Sequence, residues 1–285
     1  MTSSTATPQL SLLEIIHRHS RERLFVHPLL WTPRQCALLD CRFQFHEADD
    51  PVDATTETGA DKADNNVDKE LAEDIALAAD TFCQQVAFYH VFTKQGTGLH
   101  SNKGKYGGVH LCFGKQQVAY IKCNNILVTS HASNLIAPRV AVLDFGAPGT
   151  RRKMRIDRSI GGRRNRHNPP VKFLIQHRIR RLTPQDPRQD PYILALFIAM
   201  AQARKAALGP MGLGSDGTWP VTLIMNDCGK APHVYVYTAS VPEGLLLMFE
   251  NPKKQLPLVG MEIHCTLVKF QSYESLVTRL HRAAL

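Results

Sequence analysis

The stretch Tyr192-Ile-Leu-Ala-Leu-Phe-Ile-Ala-Met-Ala-Gln-Ala-Arg-Lys-Ala-Ala-Leu208 places apolar residues on most sides of a helix. A helix of that kind has no face to give to water, so it must be covered on several sides, most simply by lying buried against a sheet. Its ends are marked in the sequence. Asp190 is placed to cap it, Pro191 suits the first helical position, and Gly209-Pro210 stops it. The uninterrupted apolar run, residues 192–203, is shorter than the roughly 20 residues that cross a bilayer, so no membrane span is expected.

The rest of the chain supplies what such a helix needs. Strand-like runs occur at 139–145, 171–179, 221–225, 233–239 and 261–270. Residues 109–113 and 117–123 alternate about a Gly114 turn and lead into 126–129, which together read as an antiparallel meander. A short amphipathic helix is expected at 10–17. A second should begin at Pro33 under a Thr32 cap, with Trp31 beside it as a core anchor. Residues 69–93 carry Leu71, Ile75, Ala78, Phe82, Val86 and Tyr89 on one stripe and read as one long helix capped by Asp68. Shorter helices follow at 241–249 and 273–282. The expected fold class is α/β or α+β, a mixed β-sheet flanked by helices in a single domain. Residues 1–46 form an N-terminal helical segment docking on it, 47–68 a disordered acidic insertion, and 69–285 the main domain.

Charge is distributed unevenly over this frame. Between Arg151 and Arg181 there are twelve Lys or Arg against one acid, Asp157, a local net of +11. Residues 47–74 hold eleven acids and two lysines, a net of −9, so the remainder of a +9 chain carries +18. A surface that basic is suited to nucleic acid or another polyanion. The residues expected to bind it are Arg151, Arg152, Lys153, Arg155, Arg158, Arg163, Arg164, Arg166, Arg178, Arg180 and Arg181. The chain's own acidic segment is the rival partner. Arg151-Arg152-Lys153 and Arg163-Arg164-Asn165-Arg166 also resemble a bipartite nuclear import signal. Residues 151–172 contain no aromatic side chain, which argues against a base-stacking platform there.

Seven widely spaced cysteines, mostly in apolar runs, read as reduced thiols of an intracellular protein. The first eight residues lack the pattern of a secretory signal. Ser/Thr richness ahead of His17, Arg18, His19, Arg21 and Arg23 leaves mitochondrial import open beside nucleus and cytoplasm. His110, Cys112 and Cys123 fall close together without the closely spaced ligand pairs of a structural zinc site, so they are expected to pack in the core. The glycine-rich loop 95–108 fails the P-loop spacing. No cofactor is named by these patterns.

Three resemblances add expectations. Leu143-Asp-Phe-Gly-Ala-Pro-Gly149 resembles the first motif of S-adenosylmethionine methyltransferases, which would make Asp144, Gly146 and Gly149 ligand-binding. That motif requires a helix directly after the turn, and 151–162 reads as a poor one. The order of elements is similar to the restriction-endonuclease-like nuclease core. Asp144 would then match its aspartate, while Gln176-His177-Arg178 would stand where Glu-x-Lys belongs, implying a nuclease fold kept for binding or a degenerate metal-dependent nuclease. Over most of its length the chain resembles a protein family of filamentous fungi with no known activity. The stretches that carry this are Leu30-Trp-Thr-Pro-Arg-Gln-Cys-Ala-Leu-Leu-Asp-Cys-Arg42, Gly104-Lys-Tyr-Gly-Gly108 with the hairpin behind it, Pro170-Val-Lys-Phe173, Asp190-Pro-Tyr-Ile193 and Val236-Tyr-Thr-Ala-Ser-Val-Pro242. The leading expectation is a non-enzymatic intracellular protein that binds a polyanion through 151–181. The alternative is a methyltransferase-like enzyme or accessory protein of fungal metabolism with a ligand near Asp144.

Overall fold

The computed structural model describes residues 9–47, 62–77, 81–93, 98–101, 107–130, 136–160, 168–227 and 231–284. In chain order the N-terminal half contributes β1 (Gln9–Leu10), α1 (Leu12–Arg18), α2 (Pro33–Leu38), β2 (Cys41–Glu47), α3 (Lys62–Leu77), α4 (Thr81–Thr93), β3 (Leu99–Ser101), β4 (Gly108–Phe113), β5 (Gln116–Lys122), β6 (Asn125–Ser130) and β7 (Ile136–Asp144). The second half contributes α5 (Ala147–Ile160), α6 (Pro169–Leu182), α7 (Pro191–Leu208), β8 (Thr218–Asn226), β9 (His233–Pro242), α8 (Glu243–Glu250), β10 (Leu256–Pro257), β11 (Met261–Lys269) and α9 (Tyr273–Ala284).

A seven-stranded mixed sheet runs β2-β11-β9-β8-β7-β6-β3. The pairs β2/β11 and β7/β8 are parallel and the other neighbours antiparallel. Strand side chains alternate between two cores, as the period of two requires. Ala141 and Leu143 of β7, Leu223 and Met225 of β8, and Tyr237 of β9 join the core around α7. Val140, Val142, Ile224, Val234 and Val236 join the core under α3, α4 and α9. The domain is therefore an α/β fold with helices on both faces of a mixed sheet, as its sequence led us to expect.

The all-apolar helix α7 is held as its composition demands. Asp190 accepts from the Tyr192 amide at 3.0 Å, and Gly209 ends the helix at φ 56°. Among the described residues, Pro187–Gly212 is the helical stretch long and apolar enough to cross a membrane, and 72% of its most apolar window is buried inside the fold. One side lies on the sheet and the other under the β4–β5 hairpin. That hairpin has a register break between Leu111 and Cys112, and Gln202 of α7 repairs it: its side chain accepts from the Cys112 amide at 2.9 Å and donates to the Cys112 carbonyl at 3.0 Å. Arg204 donates to the carbonyl of Pro138 at 3.1 Å, beside the irregularity in the β6/β7 ladder. Burial, with the neighbouring Arg139, lowers the Arg204 pKa to about 10.

Several local expectations are corrected. Residues 171–179 are not a strand but the middle of α6, opened by Pro169 and Pro170 at positions where a missing N–H costs nothing. Residues 151–160 form a regular helix, α5, directly after the β7 turn. The expected single helix at 69–93 is two, and Asp68 lies inside α3 instead of capping it. Gln84 of α4 donates to the carbonyl of Ile75 at 2.8 Å, tying the two helices together. The hairpin leaves the main sheet, and only β6 of the expected meander enters it. Of the acidic insertion, Glu47 ends β2 and 62–68 belong to α3, while 48–61 lie outside the described residues. The N-terminal segment expected to be helical also supplies β2, the edge strand beside β11.

One contact joins three of these parts. Arg152 of α5, 1% exposed, donates from Nη2 to both carboxylate oxygens of Asp190 at 2.7 Å, and from Nε to the carbonyl of Leu29 at 2.8 Å. Breaking a buried pair from one side leaves an uncompensated charge, which costs about 3–5 kcal/mol. Arg152→Met alone is expected to lower stability by that amount in denaturant titration. Combined with Asp190→Asn, which still caps α7, it is expected to lose less than the sum of the two single variants.

A candidate anion-binding cleft at the end of β7

An open cleft of about 830 Å³ lies where β7 ends, between α5, the end of β5 and the first turn of α7. Asp144 stands at its rim, paired in register with Asn226 of the parallel neighbour β8. Ligand sites in open α/β sheets lie outside the carboxyl ends of strands in this way. The Asp144 amide donates to the side chain of Asn124 at 3.2 Å.

The orientation of α5 decides what the cleft contains. Pro148, Arg152 and Ile156 turn inward and are buried. Arg151, Arg155 and Arg158, spaced four and three residues apart, therefore share the adjacent face and line one wall, rising by roughly one helical turn (about 5.4 Å) per arginine. Tyr120 and Lys122 project together from β5 on the opposite wall, since residues two apart share a strand face. The Lys122 carbonyl accepts from the Tyr192 hydroxyl at 3.1 Å and from the Arg151 guanidinium, which bolts the end of β5 to α7 and α5.

His27, half-buried, also lines the cleft. Its Nδ1 accepts from the Leu29 amide at 3.2 Å, so the neutral ring carries its proton on Nε2 and can donate. Burial, and then the nearby Arg155 charge, push its pKa down to about 4. Burial also raises the pKa values of Tyr120 and Tyr192. Four cations line the cleft against one carboxylate, Asp144. Among the described residues, Arg152–Asp190 is the ion pair that α5 makes with a carboxylate, so the wall arginines meet no internal counter-charge: Arg155 and Arg158 are exposed, and Arg151 is half-buried against the Lys122 carbonyl.

The sequence-derived site residues are thus sorted. Arg151, Arg155 and Arg158 come together in the cleft with Asp144. Arg152 is corrected from a polyanion ligand to an internal strut, because its charge is neutralised by Asp190 in the core. Lys153 is exposed on another side of α5. Arg180 and Arg181 are exposed on α6 and Arg178 is half-buried there. Arg163, Arg164 and Arg166 lie outside the described residues. Gln176, His177 and Arg178 sit on α6 and not on a strand beside Asp144. Gly146 packs near the Asp144 carboxylate, where an added Cβ would meet it at 3.3 Å, while Gly149 borders open space. His27, Tyr120, Lys122 and Tyr192 were missed. For Tyr120 and Lys122 a signal existed in their shared strand face, but nothing local links β5 to α5.

Among the described residues, no group of three or more His, Cys, Asp or Glu is placed to hold a metal ion. No family model matches the chain, and no characterised protein matches it significantly.

The His27 shift has a definite pH signature. Between about pH 4 and the unperturbed histidine value near 6.5, the unfolded chain binds the His27 proton and the folded one does not. His27 thus destabilises the fold increasingly as pH falls through that window, and contributes no slope above it. In denaturant titrations across pH, His27→Gln is expected to flatten the loss of stability between pH 6.5 and 4, and to leave the curve above pH 7 parallel to wild type.

Proposed function

We propose that this protein binds single-stranded nucleic acid, with the cleft at the end of β7 as the seat of one phosphate-linked segment. The observation that carries this reading is the set of three arginines on one face of α5 opposite the Tyr120 ring, which is 43% exposed. Guanidiniums recognise phosphate oxygens with their planar donor fork, and a series of them tracks a phosphate backbone. An exposed aromatic ring across the same groove offers a stacking face that tolerates any base. The absence of aromatics from 151–172 therefore does not remove a stacking partner, because β5 brings one. Met154, 49% exposed on α5, adds an apolar edge.

A second reading, a small anionic ligand held near Asp144, is favoured by the cleft's volume of about 830 Å³, which falls within the usual range for small-molecule sites of about 300–1,000 Å³. Its recognition would depend on Asp144 through a hydrogen-bond donor that the ligand carries beside its anionic group, because the carboxylate can only accept, whereas a phosphate backbone offers no such donor, is repelled by that carboxylate and gains when it is removed.

The test is binding of short labelled DNA and RNA strands across a salt series. Contacts from four cations predict a slope of log affinity against log salt of about −3 for a single strand, at about 0.7 per phosphate neutralised. Arg155→Ala with Arg158→Ala is expected to reduce that slope by about 1.4, Tyr120→Ala to weaken binding by about 1–3 kcal/mol without changing the slope, and Lys153→Ala to leave both unchanged. Absence of binding at low salt, or equal losses from Lys153→Ala, would contradict the reading.

A further inference from the structure

Away from the cleft, two imidazoles meet on the edge of the sheet. His46 of β2 and His264 of β11 lie on adjacent parallel strands, offset by two residues, since Gln44 faces His264 and His46 faces Thr266 in the register. Met261, Ile263 and Cys265 point into the core around α7. His264 and Glu262 alternate with them and face the other way, to a partly open surface. Nε2 of His46 lies 3.2 Å from Nδ1 of His264, with the rings stacked at 5.4 Å between centroids and 26° between planes. On the far side of His264, Glu262 Oε2 is 3.8 Å from Nε2.

We propose that His46 and His264 form a two-imidazole chelate for a divalent transition-metal ion, with Glu262 as the residue that orients His264. Two nitrogens bound to one tetrahedral ion at about 2.0–2.1 Å stand about 3.3 Å apart, so the pair is already at chelating separation. At 3.8 Å Glu262 is just outside hydrogen-bond distance of His264 Nε2, and its charge favours the proton there, which would leave the Nδ1 lone pair for His46. A small side-chain rotation that closes this gap on metal binding would give the carboxylate–histidine arrangement that fixes the tautomer of metal ligands. In the metal-free pair His46 donates from Nε2 to that lone pair. On binding, His46 shifts its proton to its own Nδ1 through solvent and presents the Nε2 lone pair, so two neutral rings coordinate and no proton is lost.

With two protein ligands the ion completes its shell with water. Imidazole donors favour Cu²⁺ over Ni²⁺ and Zn²⁺. The chelate would clip β2, which among the described residues is the last strand of the sheet, to its neighbour β11.

The test uses the full chain with its accessible thiols blocked by N-ethylmaleimide, because Cys83 is exposed and would compete for metal. Titration with CuCl₂ at neutral pH, followed by electron paramagnetic resonance, is expected to show one saturable site with hyperfine splitting from two nitrogens. His46→Gln and His264→Gln should each remove that two-nitrogen signal and weaken the site by about tenfold or more, and Glu262→Gln should weaken it by about 10–100-fold while preserving both nitrogens. Thermal unfolding with and without Cu²⁺ should shift upward only in chains that hold both histidines. A two-nitrogen signal that survives in either histidine variant, or no saturable site in the wild type, would overturn the proposal.

Discussion

The buried pair between Arg152 and Asp190 is the contact on which the functional face depends. Asp190 has two tasks, capping α7 and neutralising Arg152, and both are met within 3.0 Å. Arg152 in turn also holds the Leu29 carbonyl, so α5, α7 and the segment before α2 meet at one guanidinium. A fork of five fixed donors suits such a three-way junction, which a lysine could not make. The consequence is rotational. With Arg152 and Ile156 locked inward, the neighbouring helix face carrying Arg151, Arg155 and Arg158 has nowhere to point but the cleft.

The second wall of the cleft follows from how α7 is covered. A helix buried all round needs a lid on the side away from the sheet, and the β4–β5 hairpin provides it, fastened by Gln202 at the hairpin's own irregularity. Because β5 then ends beside α5, its outward residues Tyr120 and Lys122 face the arginine row. The same packing requirement that buries α7 thus places an aromatic ring opposite a basic wall. In the fold as described, core architecture and cleft chemistry are two consequences of one arrangement.

Elements whose local signals agree were legible from the chain alone. The Asp190 cap, Pro191 and Gly209 bracket α7, and Thr32 with Pro33 opens α2. Residues 171–179 misled because two periods fit them. Val171, Phe173, Ile175 and Ile179 alternate as a strand would, yet Val171, Ile175 and Ile179 also recur every four residues, and Pro169-Pro170 settles the matter for a helix start. Residues 151–162 read as a poor helix, and the helix that forms there, α5, is dense in arginine. One of those charges is neutralised in the core, and the others are solvated along the cleft or on the outer surface, which removes most of the repulsion. The break between α3 and α4 was hidden because the apolar stripe continues across it. Within the site, the arginines and Asp144 were identified from sequence as rival features. That they share a cleft with His27, Tyr120 and Tyr192 depends on contacts spanning up to 123 residues of chain, such as Arg152 to Leu29, which no local pattern encodes.

The central claim, that the α5 wall and the β5 ring grip one ligand between them, is tested most directly by photocrosslinking. A single-stranded RNA carrying 5-iodouridine would be bound to the full chain, irradiated and mapped by mass spectrometry. The account predicts a principal adduct on Tyr120, lost in Arg155→Ala with Arg158→Ala. An adduct centred instead on Phe173 of the exposed face of α6, or one on Tyr120 that persists without the two arginines, would contradict it.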